Sequence, residues 1–96
     1  HNELVGWRDK NENLAVVYLR NESDFTKIQQ RMDLNQKVIK TFTSSVFEVW
    51  SKGASFIERS MYLLHVGDWM SFYLADLRGY NVLEVNVIDE LKANLK

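Results

Sequence analysis

Three observations in the sequence predict an α/β fold. Leu14-Ala15-Val16-Val17-Tyr18-Leu19 is a short unbroken apolar run rich in β-branched residues, and Val46-Phe47-Glu48-Val49-Trp50 is a second strand-like run. Between them Phe25, Ile28, Met32, Val38 and Ile39 recur at roughly helical spacing. Strand, helix, strand over this length is a βαβ unit, with parallel strands and a right-handed crossover.

The first strand is expected over residues 14–19, between the polar words Asp9 to Asn13 and Arg20-Asn21-Glu22-Ser23-Asp24. Its lack of alternation predicts burial on both faces, as in parallel sheets. Ser23 or Asp24 can cap the helix that follows, with acidic residues complementing its dipole. Its apolar face holds Phe25, Ile28, Met32, Val38 and Ile39. Lys27, Gln29, Gln30, Arg31 and Lys37 take the other face, and the helix is expected to run to about Thr41. Ser51-Lys52-Gly53 is the turn out of the second strand.

The longest helix is expected from about Ser55 to Leu77, since Ser55-Phe56-Ile57-Glu58 has the spacing of a capping box. Phe56, Ile57, Met61, Leu64, Trp69, Phe72 and Leu74 are among the residues that make it apolar around much of its circumference. A domain of this size cannot easily cover such a helix, so part of its surface is expected to pack on another domain or subunit. Arg78-Gly79 is a stop signal, a cationic last turn before a left-handed cap. Residues 82–85 are expected to be extended, and a final helix is expected from about Val87 to Leu95.

Ninety-six residues make one domain or a piece of one, and an apolar share of 46% is that of a globular chain. A net charge of -1 gives no electrostatic reason to expect nucleic acid or an anionic membrane as partner. With no cysteine there is no disulfide framework and no thiolate metal site, which fits a cytoplasmic location. The longest apolar stretch, Met61 to Leu77, is interrupted by His65, Asp68, Ser71 and Asp76, so no membrane span is expected. The N-terminus is polar and acidic, unlike a signal peptide. Because the chain opens on His, an excised domain or a processed product is expected.

Few residues suggest chemistry unaided. An imidazole such as that of His1 titrates near neutrality, at an ordinary pKa of about 6.5, yet a terminal histidine is usually exposed and idle. Lys92 alone is a solvated helix lysine. Glu3 either orients His1 or is the acidic residue of a first turn, and Asp68 has a structural role in which its carboxylate must be satisfied if buried. His65 is expected in a core or an interface. The two histidines and assorted acids have no metal-ligand spacing, and Thr41-Phe42-Thr43-Ser44-Ser45 is too weak a pattern for a phosphate loop.

Four words change this weighting when taken together: His1-Asn2-Glu3-Leu4-Val5-Gly6-Trp7, Gly67-Asp68-Trp69, Leu77-Arg78-Gly79 and Ile88-Asp89-Glu90-Leu91-Lys92. They resemble the C-terminal half of the bifunctional phosphoglucose/phosphomannose isomerases, which are built from two SIS (sugar isomerase) domains. The first word is similar to that family's His-Asn-Glu-Ile-Val-Gly-Trp, with Leu4 for Ile. The resemblance implies that His1 opens the sugar ring in the active site of the neighbouring subunit, and that Lys92 assists by steadying charge near the ring oxygen. It also implies that the glutamate carrying a proton between C1 and C2, and the Ser/Thr loop gripping the phosphate, precede this chain. The chain departs from the family's Asp-Pro and Thr-Pro pairs at Asn81-Val82 and Leu83-Glu84. No threonine follows Thr43, so the resemblance does not carry over the glucose-versus-mannose preference.

The fold class that follows is α/β, the C-terminal part of an SIS-type, flavodoxin-like three-layer sandwich with a parallel sheet. Residues 1–96 are expected to be a C-terminal SIS-like isomerase domain, part of a longer two-SIS-domain protein and inactive in isolation. The implied activity interconverts glucose 6-phosphate, and also mannose 6-phosphate, with fructose 6-phosphate. It needs no cofactor or metal, takes a phosphorylated hexose as substrate, and uses a homodimer that shares the active site. The alternatives are a non-catalytic SIS module that binds a phosphosugar or mediates dimerisation, and an α/β interaction domain whose apolar helix packs on a partner.

Overall fold

The computed structural model describes residues 2–95. The described residues divide into two compact units, 2–64 and 65–95.

The first unit opens with a 3-10 helix at Asn2–Gly6 and then forms the expected βαβ unit: β1 (Val16–Arg20), α1 (Thr26–Ile39) and β2 (Val46–Trp50). The strands are parallel, in a register that pairs Val16 with Val46 and Arg20 with Trp50. The ladder is prolonged at both ends, where the Val16 N–H donates to Ser45 O (2.9 Å) and the Ser51 N–H to Arg20 O (2.8 Å).

β1 starts two residues later than its apolar run suggests. Leu14 is diverted, because its N–H donates to Asn11 O (3.4 Å) and its carbonyl accepts the Thr43 hydroxyl (2.8 Å). The strand is half-buried rather than covered on both faces. Among the described residues the sheet has two strands, too few to sandwich a strand between full layers.

The N-cap of α1 is neither Ser23 nor Asp24 but Phe25, which supplies no side-chain hydrogen bond. Asn21 claims the candidate caps first. Its Oδ1 accepts the Ser23 N–H (3.2 Å) and hydroxyl (2.9 Å), and its carbonyl accepts the Asp24 N–H (3.1 Å). The amide of Gln29 then ties this turn to the helix by donating to Asp24 O (2.8 Å). At the other end the helix stops at Ile39, short of the expected Thr41. Thr41 folds its hydroxyl back onto Val38 O (2.7 Å), closing the last turn.

Ile39 is the buried apolar residue of this unit, at 3% exposure. Phe25, Ile28 and Val38, expected on the same face, are exposed. The inward positions are instead Gln29, Met32, Asn35, Gln36 and Ile39, a more polar stripe than the hydrophobic pattern predicts. Asn35 and Ile39 line a small hollow against Val16 and Tyr18 of β1, and burial pushes the Tyr18 phenol above its ordinary range.

The loop leaving α1 is bolted to the segment before β1. Thr43, 1% exposed, donates to Leu14 O and accepts the Ser45 N–H (3.2 Å). The Glu12 carboxylate accepts both the N–H (3.0 Å) and the hydroxyl (2.7 Å) of Ser44. These two bonds hold the Glu12 carboxyl below the usual carboxylate range. The Asn11 N–H donates to Phe42 O (2.9 Å), and the Phe42 ring meets that of Trp7 at 6.1 Å.

α2 (Phe56–Leu77) begins as its capping box predicts. The Glu58 N–H donates to Ser55 Oγ (3.1 Å), and the Glu58 carboxylate accepts the N–H groups of Ala54 (2.6 Å) and Ser55 (3.4 Å). Gly53, at φ +138°, makes the turn into it.

The second unit holds residues 65–77 of α2, a turn, and α3 (Asn86–Asn94). α2 ends in a Schellman motif: Gly79 has φ +72°, its N–H donates to Asp76 O (2.9 Å), and the Tyr80 N–H donates to Ala75 O (2.9 Å). Residues 82–85 are not extended as expected. Asn81 turns them, its Oδ1 accepting the Leu83 N–H (3.0 Å) and its carbonyl the Glu84 N–H (3.2 Å). α2 has no buried residue.

Candidate functional site

The carboxyl ends of the parallel strands are where α/β sheets ordinarily place their ligands, and here they carry the densest polar cluster of the first unit. Arg20 is 4% exposed, donates to the carboxylates of Asp33 (2.7 Å) and Glu48 (2.8 Å), and lies 4.8 Å from the centroid of the Trp50 ring. Hydrogen bonds and charge from the two acids hold the guanidinium firmly protonated. The next residue, Asn21, is 6% exposed, and its Oδ1 also accepts the Ser51 hydroxyl (3.1 Å). Arg59 completes the link by donating to Ser23 Oγ and to Gly53 O, each at 3.2 Å.

This cluster locks the loop after β1 to the loop after β2. Sequence reasoning missed it, although a signal was present: Arg20 ends an apolar run, and Glu48 interrupts the second strand.

His1 lies outside the described residues. The 3-10 helix that follows is closed by the Trp7 N–H donating to Leu4 O (3.1 Å). Glu3 is exposed and borders two hollows of about 480 and 190 Å3, the first shared with Trp7, Arg8 and Asn11, the second with Leu4 and Tyr18. Its carboxylate makes no hydrogen bond among the described residues.

Lys92 sits in the last turn of α3, exposed, where a cation complements the carbonyl end of the helix dipole. It makes no ion pair among the described residues.

His65 and Asp68 are both exposed on α2, so His65 is not a core residue of this chain and the Asp68 carboxylate is not buried. His65 Nε2 accepts the Trp69 indole N–H at 2.9 Å. The expected pairing of the Asp68 carboxylate is not found among the described residues, where only its main-chain carbonyl is engaged, by the Ser71 hydroxyl (2.8 Å). The hydroxyls of Thr41, Thr43 and Ser44 are all used in helix closure and loop locking. Among the described residues no group of three or more His, Asp or Glu is placed to hold a metal ion, and no helix is long and apolar enough to cross a membrane.

A parallel βαβ unit that passes into a long apolar helix and a short amphipathic one defines an α/β domain with the elements of an SIS fold. The chain belongs to the family of bacterial phospho-glucose isomerase C-terminal SIS domains, whose model matches residues 1–95. It is similar to the bifunctional phosphoglucose/phosphomannose isomerase of Aquifex aeolicus, 35% identical over all of this chain and 31% of that protein. The enzymes of the same name from Caldicellulosiruptor bescii and Thermoplasma acidophilum are 35% and 28% identical over 99% of the chain. The chain spans 29–31% of the length of these relatives. No solved structure matches it.

Proposed function

We propose that the protein containing this chain interconverts glucose 6-phosphate and fructose 6-phosphate, with mannose 6-phosphate as a second substrate, and that the chain supplies two of its catalytic groups. His1 acts as acid and base on the ring oxygen and the C1 hydroxyl, the proton transfer that opens the hexose ring. Lys92 places a fixed positive charge where negative charge develops at the ring oxygen. The base that moves a proton between C1 and C2, and the loop that binds the phosphate, belong to the remaining two-thirds of a protein of the relatives' length. His1 works in the active site of the partner subunit of a cytoplasmic homodimer.

The observation that carries this reading is the extent of the family match. It covers residues 1–95 and so includes both the first word of the sequence and the Ile88-Asp89-Glu90-Leu91-Lys92 ending.

The test is made on the full-length protein with His1→Ala. Ring opening of the closed sugar is expected to become limiting, while turnover of the open-chain form is largely retained. An unchanged ring-opening rate would remove His1 from the mechanism. Turnover of fructose 6-phosphate by the 96-residue chain alone would contradict the division of labour, since the base would then have to lie within it.

A further inference from the structure

The Gly67-Asp68-Trp69 word has no part in the proposed chemistry, yet its side chains form the most organised aromatic surface of the second unit. Trp69 is held from three sides. Its indole N–H donates to His65 Nε2 (2.9 Å), its ring stacks on Tyr73 (27° between planes, 5.6 Å), and Phe72 meets it edge-on at 5.7 Å. Beside these rings the exposed Asp68 carboxylate is without an ion pair or hydrogen bond among the described residues. Asp68 borders two adjoining hollows, one of about 330 Å3 with His65, Trp69 and Phe72, the other of about 320 Å3 with Phe72, Ala75, Val82 and Leu83.

A lone carboxylate set among fixed aromatic rings selects its occupant by charge. A neutral apolar partner would bury Asp68 unpaired, which is strongly unfavourable. An ammonium would satisfy the charge but not the planar rings. A guanidinium does both, because its flat cation stacks on an aromatic face and its fork of N–H donors grips a carboxylate. The same chain uses this chemistry internally: Arg20 pairs with Asp33 and Glu48 while lying 4.8 Å from the Trp50 centroid. Asp68 with Trp69 and Phe72 is the receiving half of such an arrangement, without its arginine.

We propose that this face of α2 is an interaction surface that receives an arginine side chain from a partner polypeptide, held by Asp68 and stacked against Trp69 and Phe72. The inference is independent of the isomerase reading.

The test uses the isotope-labelled full-length protein and ethylguanidinium chloride as the probe, with sodium chloride at equal concentration as the reference. The indole N–H signals report the site, with Trp7 and Trp50 as internal controls for the fold. A saturable shift of the Trp69 signal alone is expected, weaker for ethylammonium and about tenfold weaker in Asp68→Asn, the loss of one charge-assisted pairing. A Trp69 signal that follows sodium chloride, or moves no more than Trp7 and Trp50, overturns the proposal, as does equal binding by Asp68→Asn or by ethylammonium. The wild-type titration decides by itself if the variant fails to keep the control signals.

Discussion

Arg20 and Trp50 are register partners at the carboxyl ends of β1 and β2, and the guanidinium of one lies over the indole of the other at 4.8 Å. The same guanidinium neutralises Asp33 on α1 and Glu48 on β2, so one side chain ties together all three elements of the βαβ unit. Arg20→Ala is expected to lose about 2–3 kcal/mol in urea unfolding. The value falls below that of a fully buried pair because Asp33 and Glu48 are partly hydrated and can recover water. Arg20→Lys is expected to recover less than half: one nitrogen, Nη1, makes both carboxylate contacts, but an ammonium has no flat face to stack on the Trp50 ring.

The start of α2 depends on a reciprocal cap and on a glycine. Ser55→Ala removes the acceptor of the Glu58 N–H and is expected to reduce stability by about 1 kcal/mol. Gly53→Ala is expected to be worse. Its φ of +138° disfavours any side chain, and an added Cβ would sit 2.6 Å from Glu58 Cγ, displacing the carboxylate that caps Ala54 and Ser55. Thermal midpoints of the two variants check the order.

Glu12 gives the loop lock a pH dependence of known sign. Its folded pKa lies below the ordinary value of about 4.3, because two Ser44 bonds favour the carboxylate. The stabilisation is therefore fully present above the ordinary glutamate range and is lost as pH falls through the lowered folded value. Glu12→Gln is expected to be less stable than the wild type at pH 7 and to show a shallower loss of stability on acidification below about pH 4. Unfolding midpoints measured at pH 7 and pH 3 for both proteins decide it.

The role proposed for Lys92 predicts that catalysis and stability respond separately to its replacement. Exposed and without an ion pair among the described residues, it should change stability by no more than about 0.5 kcal/mol when replaced by Met. If the full-length protein has the proposed activity, the same replacement is expected to lower kcat by about a hundredfold, the usual scale for removing one group that stabilises a developing oxyanion. A kcat within twofold of wild type would remove Lys92 from the site.

Local chemistry made much of this protein legible in its sequence. The parallel βαβ unit was readable because an apolar run of β-branched residues has few conformational alternatives. The α2 capping box and the Gly79 stop depend on residues within a few positions of each other. The family, too, was visible in four short words. Asn21 shows where such reasoning ends. Its hydrogen bonds to Ser23 and Ser51 withdraw the expected cap of α1 and join two loops thirty residues apart in sequence. Arg20, Glu12 and Thr43 likewise have partners more than ten residues away, on neighbouring elements. Their pairing depends on strand register and on which groups are shielded from water, and only the folded chain fixes both.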